Sequence, residues 1–152
     1  MREDGGGPAL FRLVRFWSRR WARGVAADGG EDAAHVAHVL TVNAIDSCIA
    51  AAQGGDDGGV TVGEVAHRLG LDQSGASRMV AAAVDAGYVE RGRAASDARR
   101  AVLRLTRAGR GLIESSQRWQ QSMFEELTAE WDERDRERFA GYLRRLATQV
   151  GA

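Results

Sequence analysis

Eight arginines lie between residues 78 and 110 against three acids, Asp85, Glu90 and Asp97, a local charge of +5 in a chain whose formal net charge is zero. The sequence has no lysine, so all 21 fixed basic side chains are arginines. A guanidinium is planar, permanently charged and rich in donors, which suits phosphate oxygens and the acceptor edge of guanine. Just upstream, Gln73, Ser74, Ser77 and Arg78 add polar donors, and the spacing of 74, 77 and 78 puts them on one helix face. Residues 125–137 carry the opposite imbalance, seven acids against two arginines. The chemistry on offer is recognition of a polyanion, since a local basic patch, not total charge, is the footprint of nucleic-acid binding. Mere solvation of surface helices accounts for the acidic stretch but poorly for arginines clustered in a loop.

Other chemistries are thinly supplied. The lone cysteine, Cys48, excludes an internal disulfide framework and a Cys-rich metal finger. Asp46 disfavours a thiolate nearby, so a packed thiol is the plainer reading and a thiol switch at Cys48 the rival. His35 and His38 form an HxxH pair, with His67 elsewhere, but two histidines without carboxylates are weak metal ligands. There is no nucleophile–base pairing, phosphate loop or metal cluster, so no enzyme, cofactor or metal is expected. No run approaches 18 apolar residues, and MREDGGG lacks the basic start and apolar core of a signal peptide. A cytoplasmic protein with no membrane partner is the expectation.

The elements that must hold these residues can be read from periodicity and punctuation. Residues 1–7 read as a flexible tail, and residues 8–52 as two supporting helices. The first opens at Pro8 and carries Leu10, Val14, Trp17, Trp21 and Val25 in steps of four and three, widened by Phe11, Leu13 and Phe16. Arg12, Arg15, Arg19, Arg20 and Arg23 are interspersed. Asp28-Gly-Gly breaks this helix, Asp32 can cap the second over 33–52, and 53–59 is a glycine-rich loop. A third helix spans Val62 to Leu69, opened by Thr61 with Glu64 at the capping-box spacing and stopped by Gly70. Asp72 caps a fourth, which runs to Ala86 and ends at Gly87. Tyr88–Arg91 and Ala101–Leu105 read as strands around a loop over residues 93–99. Residues 60–105 therefore form a winged helix-turn-helix, the architecture that puts one helix in a DNA major groove with a ribbon beside it. Residues 106–152 supply two more apolar-striped helices, one opened by Thr106 and one from about Glu133. The fold class is mainly α, an α+β winged helix flanked by N- and C-terminal helices. Those flanking helices are too apolar for one solvated surface, which predicts that they pack in an intertwined two-fold dimer.

The chain resembles the MarR family of winged-helix transcriptional regulators over nearly its whole length. The resemblance rests on Val60-Thr-Val-Gly-Glu-Val-Ala, Leu71-Asp-Gln-Ser-Gly-Ala-Ser-Arg-Met-Val and Gly87-Tyr-Val-Glu-Arg. Its most specific segment is Asp97-Ala-Arg-Arg-Ala-Val-Leu-Arg-Leu-Thr-Arg-Ala-Gly-Arg. It implies a homodimeric regulator, a repressor of an inverted-repeat operator in double-stranded DNA. Gln73, Ser74, Ser77 and Arg78 would lie on the recognition helix, and Arg99 would enter the minor groove. Arg93 and Arg100 would touch phosphates and Arg91 would reach one from the strand, with Arg100 facing either DNA or protein. Asp97 is placed to pair with an arginine and hold the loop's shape. The resemblance also implies a small anionic aromatic effector between the dimer helices and the winged unit, for which Arg15, Arg19, Trp17, Trp21, His35 and His38 are candidates. Both tryptophans equally fit the apolar stripe as core. Three departures stand out: Gly75 for a bulkier residue, Ala83 for leucine, and a longer 53–59 loop. The alternative function is a winged module that binds protein and not DNA.

Overall fold

In the computed structural model, residues 5–27, 31–52 and 59–151 are described, the side chains of 18–33 excepted. The elements run α1 (Gly6–Ala27), α2 (Glu31–Ala51), α3 (Val62–Leu69), α4 (Gln73–Asp85), β1 (Val89–Arg93), β2 (Ala101–Leu105), α5 (Arg107–Leu127) and α6 (Glu133–Val150). They fall into two compact units, one through Ile113 and one from Glu114 onward.

The first unit is built around α2, which touches α1, α3, α4 and β2. Val42, Ala44 and Ile45 of α2 are buried with Val65 of α3, Val80 and Ala83 of α4, and Val89, Leu103 and Leu105 of the ribbon. Leu112 and Ile113 at the start of α5 close the same core, which is why the compact unit extends past Leu105, where the winged unit was expected to end. The stretch Ala34–Ala51 is long and apolar enough to cross a membrane by length and composition. Its apolarity has a different use here, because Val42 and Ile45 are fully buried against neighbouring elements.

Local signals explain most boundaries. Thr61 (φ −86°, ψ 157°) caps α3 with a full capping box to Glu64, and Gly70 ends it in the left-handed region at φ 64°. Asp72 caps α4, its Oδ1 accepting the Gly75 N–H at 2.7 Å. A Cβ at residue 75 would sit 2.7 Å from that same oxygen, so the unusual glycine keeps the cap compact. Ala83, the smaller residue in place of the family's typical leucine, is fully buried in the core. At Gly87, φ 80° lets the chain leave α4 and enter β1.

Three boundaries differ from expectation. Helix α1 starts at Gly6, so residues 6 and 7 of the expected tail are helical; the first four N–H groups of a helix have no intrahelical partner, so Pro8 costs nothing there. Residues 1–4 of that tail lie outside the described residues. Helix α2 starts at Glu31, placing Asp32 inside the first turn and not ahead of it. Strand β1 runs from Val89 to Arg93, ending two residues later than expected, because pairing continues through Arg93↔Ala101. The expected break at 28–30 and the loop at 53–58 lie outside the described residues.

The ribbon is antiparallel, with Val89↔Leu105 and Arg91↔Leu103 in register. Val60 meets the ribbon through an isolated antiparallel bridge to Leu103. The second unit holds the rest of α5 and α6. Asp132 caps α6 by accepting the Asp135 N–H at 2.9 Å. Phe124 stacks on Phe139 at 6.1 Å between centroids and Trp131 tilts against Phe139 at 5.2 Å. Thr128 is the only buried side chain described in this unit.

Candidate nucleic-acid interface

The polar face of α4 follows from what the helix must bury. Ala76, Val80 and Ala83 point to the core at 0 % exposure, so Gln73, Ser74 and Arg78 are left exposed and Ser77 half-buried. The cap at Asp72 fixes where the helix begins, and hence the turn from which these donors project.

The wing is an ordered loop. Its base closes where the Ala94 N–H donates to the Arg100 carbonyl at 3.0 Å and the Arg100 N–H donates to the Asp97 carbonyl at 3.0 Å. Ala94 is buried and anchors that base. Asp97 Oδ1 accepts the backbone N–H of Arg99 at 2.9 Å. The described contact that shapes the loop is therefore to main chain, where an arginine side chain was expected.

The four wing arginines have different surroundings. Arg93 Nη1 donates to the Arg99 carbonyl at 3.3 Å, spanning the loop. Arg100 is half-buried and its Nη2 lies 3.8 Å from Glu64 Oε2 at the start of α3. Of the two orientations left open for Arg100, the side chain takes the one toward protein. Arg91 and Arg99 are exposed. Behind them Arg104 donates to the Arg93 carbonyl at 3.3 Å, bracing the ribbon from the second strand.

Two features of this region escaped the sequence reading. The link from Arg100 to Glu64 joins residues 36 positions apart in the chain, and no local pattern announces it. The second is the junction of β1 and α5. Thr106 Oγ1 donates to the Gly87 carbonyl at 2.7 Å and accepts the Gly109 N–H at 3.0 Å, while the Thr106 N–H donates to the Tyr88 carbonyl at 3.1 Å. Gly109 is packed so closely that a Cβ there would run into the Tyr88 carbonyl oxygen. The Thr-Arg-Ala-Gly run was the available signal, a helix cap followed by a glycine with no other reason to sit in a first turn.

A sequence profile of the MarR family matches residues 49–100. That span takes in α3, α4, β1 and the wing loop. Over that stretch the chain is similar to the MarR family. Solved structures resemble this chain over nearly its full length. The crystal structure of MarR is 20% identical with a TM-score of 0.61, covering 99% of this chain and 94% of that one. The MepR–DNA complex from S. aureus is 16% identical with a TM-score of 0.53, covering 99% of each chain. BpsR of Bordetella bronchiseptica, solved to explain regulation of its DNA binding by 6-hydroxynicotinic acid, is 14% identical with a TM-score of 0.57, covering 97% and 96%. Identities this low establish the fold. No curated protein matches the sequence significantly.

The expected effector residues are less gathered. Arg15 and His35 are exposed, and Trp17 is half-buried with an edge-on contact to Phe16 at 5.4 Å. His38 is half-buried, tilted against the Tyr88 ring at 5.3 Å, and its Nδ1 is buried without a hydrogen-bond partner. Burial, and secondarily the charge on His35, hold its pKa below the usual histidine value. The described contacts do not join either histidine to Arg15 or Trp17. The side chains of Arg19 and Trp21 lie outside the described residues. Cys48 is half-buried against the core, as a packed thiol would be.

Proposed function

We propose that this chain is a homodimeric, sequence-specific transcriptional regulator that binds an inverted-repeat operator in double-stranded DNA and acts as a repressor. The carrying observation is the exposed Arg99 on a hydrogen-bonded wing loop, in the same compact unit as a capped helix presenting Gln73, Ser74 and Arg78. Arg99 and Arg91 serve the wing contact, with Arg93 supporting the loop. Arg78 is the donor best suited to fork onto a guanine, a contact worth about 1–3 kcal/mol of discrimination. The MepR–DNA complex, whose fold this chain shares, supports a duplex as the partner.

Dimerisation is supported by apolar surface. On α1, Leu10, Phe11, Leu13, Val14 and Phe16 are between 39% and 61% exposed. In the second unit, Trp119, Leu127, Tyr142, Leu143, Leu146 and Val150 are exposed, and α6 buries no residue. Apolar patches of that extent mark interfaces, and a second copy is the partner that lets two recognition helices meet half-sites about 34–36 Å apart. A small anionic aromatic effector shifts the dimer between DNA-compatible and incompatible spacings, with Arg15, Arg19, Trp17, His35 and His38 as its candidate contacts. Regulation of BpsR by 6-hydroxynicotinic acid supports that ligand class. A hundredfold loss of DNA affinity requires the effector to favour the incompatible form by about 2.7 kcal/mol. The cytoplasm is the compartment in which such a protein meets its operator.

The test is selection of duplexes from a randomised pool by the purified protein, followed by salt titration of the winner. A selected site with two-fold symmetry, and a log K that falls steeply with log salt, is expected. Arg99→Ala should lose most of the affinity and flatten the slope by about 1.8, the contribution of one neutralised charge in each half-site. Failure to enrich any duplex, or a slope near zero, would point to the protein-binding alternative.

A further inference from the structure

We infer that Arg100 is a positioning residue, which acts through Glu64 to fasten the wing to the helix-turn-helix and does not touch DNA. This rests on the DNA-binding reading above and concerns how the wing is aimed. Three observations converge on it. Glu64 Oε2 accepts both the Thr61 backbone N–H and the Thr61 hydroxyl, each at 2.7 Å, so this carboxylate is already held in place by the cap of α3. The Arg100 guanidinium reaches the same oxygen at 3.8 Å. Arg100 is also the residue on which the base of the wing closes, through its own N–H to Asp97 and its carbonyl from Ala94. One side chain thus links the hinge of the wing to the start of the helix that supports the recognition helix.

The neighbouring residue gives this linkage its consequence. Arg99 lies inside the turn that the Arg100 N–H closes on the Asp97 carbonyl, so the hold on Arg100 fixes the backbone from which Arg99 projects. With Arg100 turned to α3 and half-buried, Arg99 is turned outward and exposed. The carboxylate that receives Arg100 therefore decides where the Arg99 guanidinium is presented. Freed of Glu64, the wing would swing about the ribbon's end, and Arg99 would meet the duplex only in a fraction of its orientations.

The variants separate the two roles that Arg100 can have. Glu64→Gln keeps an acceptor oxygen for the capping box, which tolerates either residue, and removes the charge that holds Arg100. Affinity for the duplex selected by the wild-type protein is measured against salt for Glu64→Gln, Arg100→Gln and the double variant. Hydrogen exchange of the Ala94 and Arg100 amides is measured on the same proteins without DNA. The expected result is a five- to tenfold weakening for each single variant, no further loss in the double, an unchanged salt slope, and faster exchange at both amides. A slope reduced by about 1.8 in Arg100→Gln, one phosphate per protomer, with Glu64→Gln binding as well as wild type or better, would make Arg100 a phosphate contact and overturn the inference. Unchanged exchange in Glu64→Gln would overturn it too, even were no duplex selected. Failure of the wild-type protein to bind any duplex would instead remove the DNA-binding reading.

Discussion

At the residue scale, the winged unit combines side chains made for water with one that folding has desolvated. Arg99 and Arg78 keep their charge in solvent, where a duplex could meet it. His38 is the opposite case: its Nδ1 is buried, it has no hydrogen-bond partner and its ring lies on Tyr88, whose backbone carbonyl receives the first N–H of the turn into α5. The groups that face it are the Tyr88 ring from the ribbon and His35 from its own helix. Folding lowers its pKa below 6.5, so as pH falls the unfolded chain takes up a proton first. Stability from this residue is complete above about pH 6.5 and declines below it until the folded form also titrates. His38→Phe should therefore lose less of its thermal midpoint than wild type between about pH 7.5 and 5.5, a window set by histidine titration. Equal losses in the two proteins would remove His38 as the source.

At the element scale, the joints matter more than the helices. The turn from β2 into α5 depends on Gly109 lying flat against the Tyr88 carbonyl, with Thr106 bridging to Gly87. Gly109→Ala forces main chain apart with no flexible side chain to yield, and overpacking of this kind costs about 1–3 kcal/mol. Gly111→Ala, two residues on, meets nothing within 4 Å and should be neutral or slightly stabilising, since alanine is the better helix former. Denaturant unfolding of the pair should show that contrast, and similar midpoints for both would disprove the joint. At α4, Asp72→Ala removes the acceptor for the Gly75 N–H and should cost about 1 kcal/mol. The same variant should weaken DNA binding more than that loss explains, because the frayed turn carries Gln73 and Ser74.

At the scale of the whole molecule, the exposed apolar surface demands a partner. The second unit has an aromatic trio in Phe124, Trp131 and Phe139, but among its described residues only Thr128 is buried, too little to hold two helices together in water. Pairing of two copies, as proposed above, would cover these surfaces and supply the second recognition helix together. Phe11→Glu and Leu146→Glu each place a charge on a face now exposed and apolar. Sedimentation velocity should then show monomer where wild type sediments as a dimer, with operator affinity down by at least tenfold. A dimer that survives both changes would place the interface elsewhere.

Much of this was legible from residues alone, and for local reasons. Thr61 with Glu64, Asp72, Gly70 and Gly87 are short-range instructions: each satisfies or releases backbone groups within four residues, so spacing suffices to place α3, α4 and the turn into the ribbon. The arginine cluster and its polar helix face were equally readable, because charge and period are properties of the string. What required the tertiary structure was the use of each arginine. Arg93, Arg99 and Arg100 are chemically identical and lie within eight positions, yet one spans the loop, one faces solvent and one is held by Glu64 from another helix. Gly109 likewise yields its reason only when α5 is laid against Tyr88. Such assignments depend on which distant atoms arrive within a few ångströms, a consequence of burying Val42, Ile45, Val80 and Leu103 in one core that no local spacing encodes.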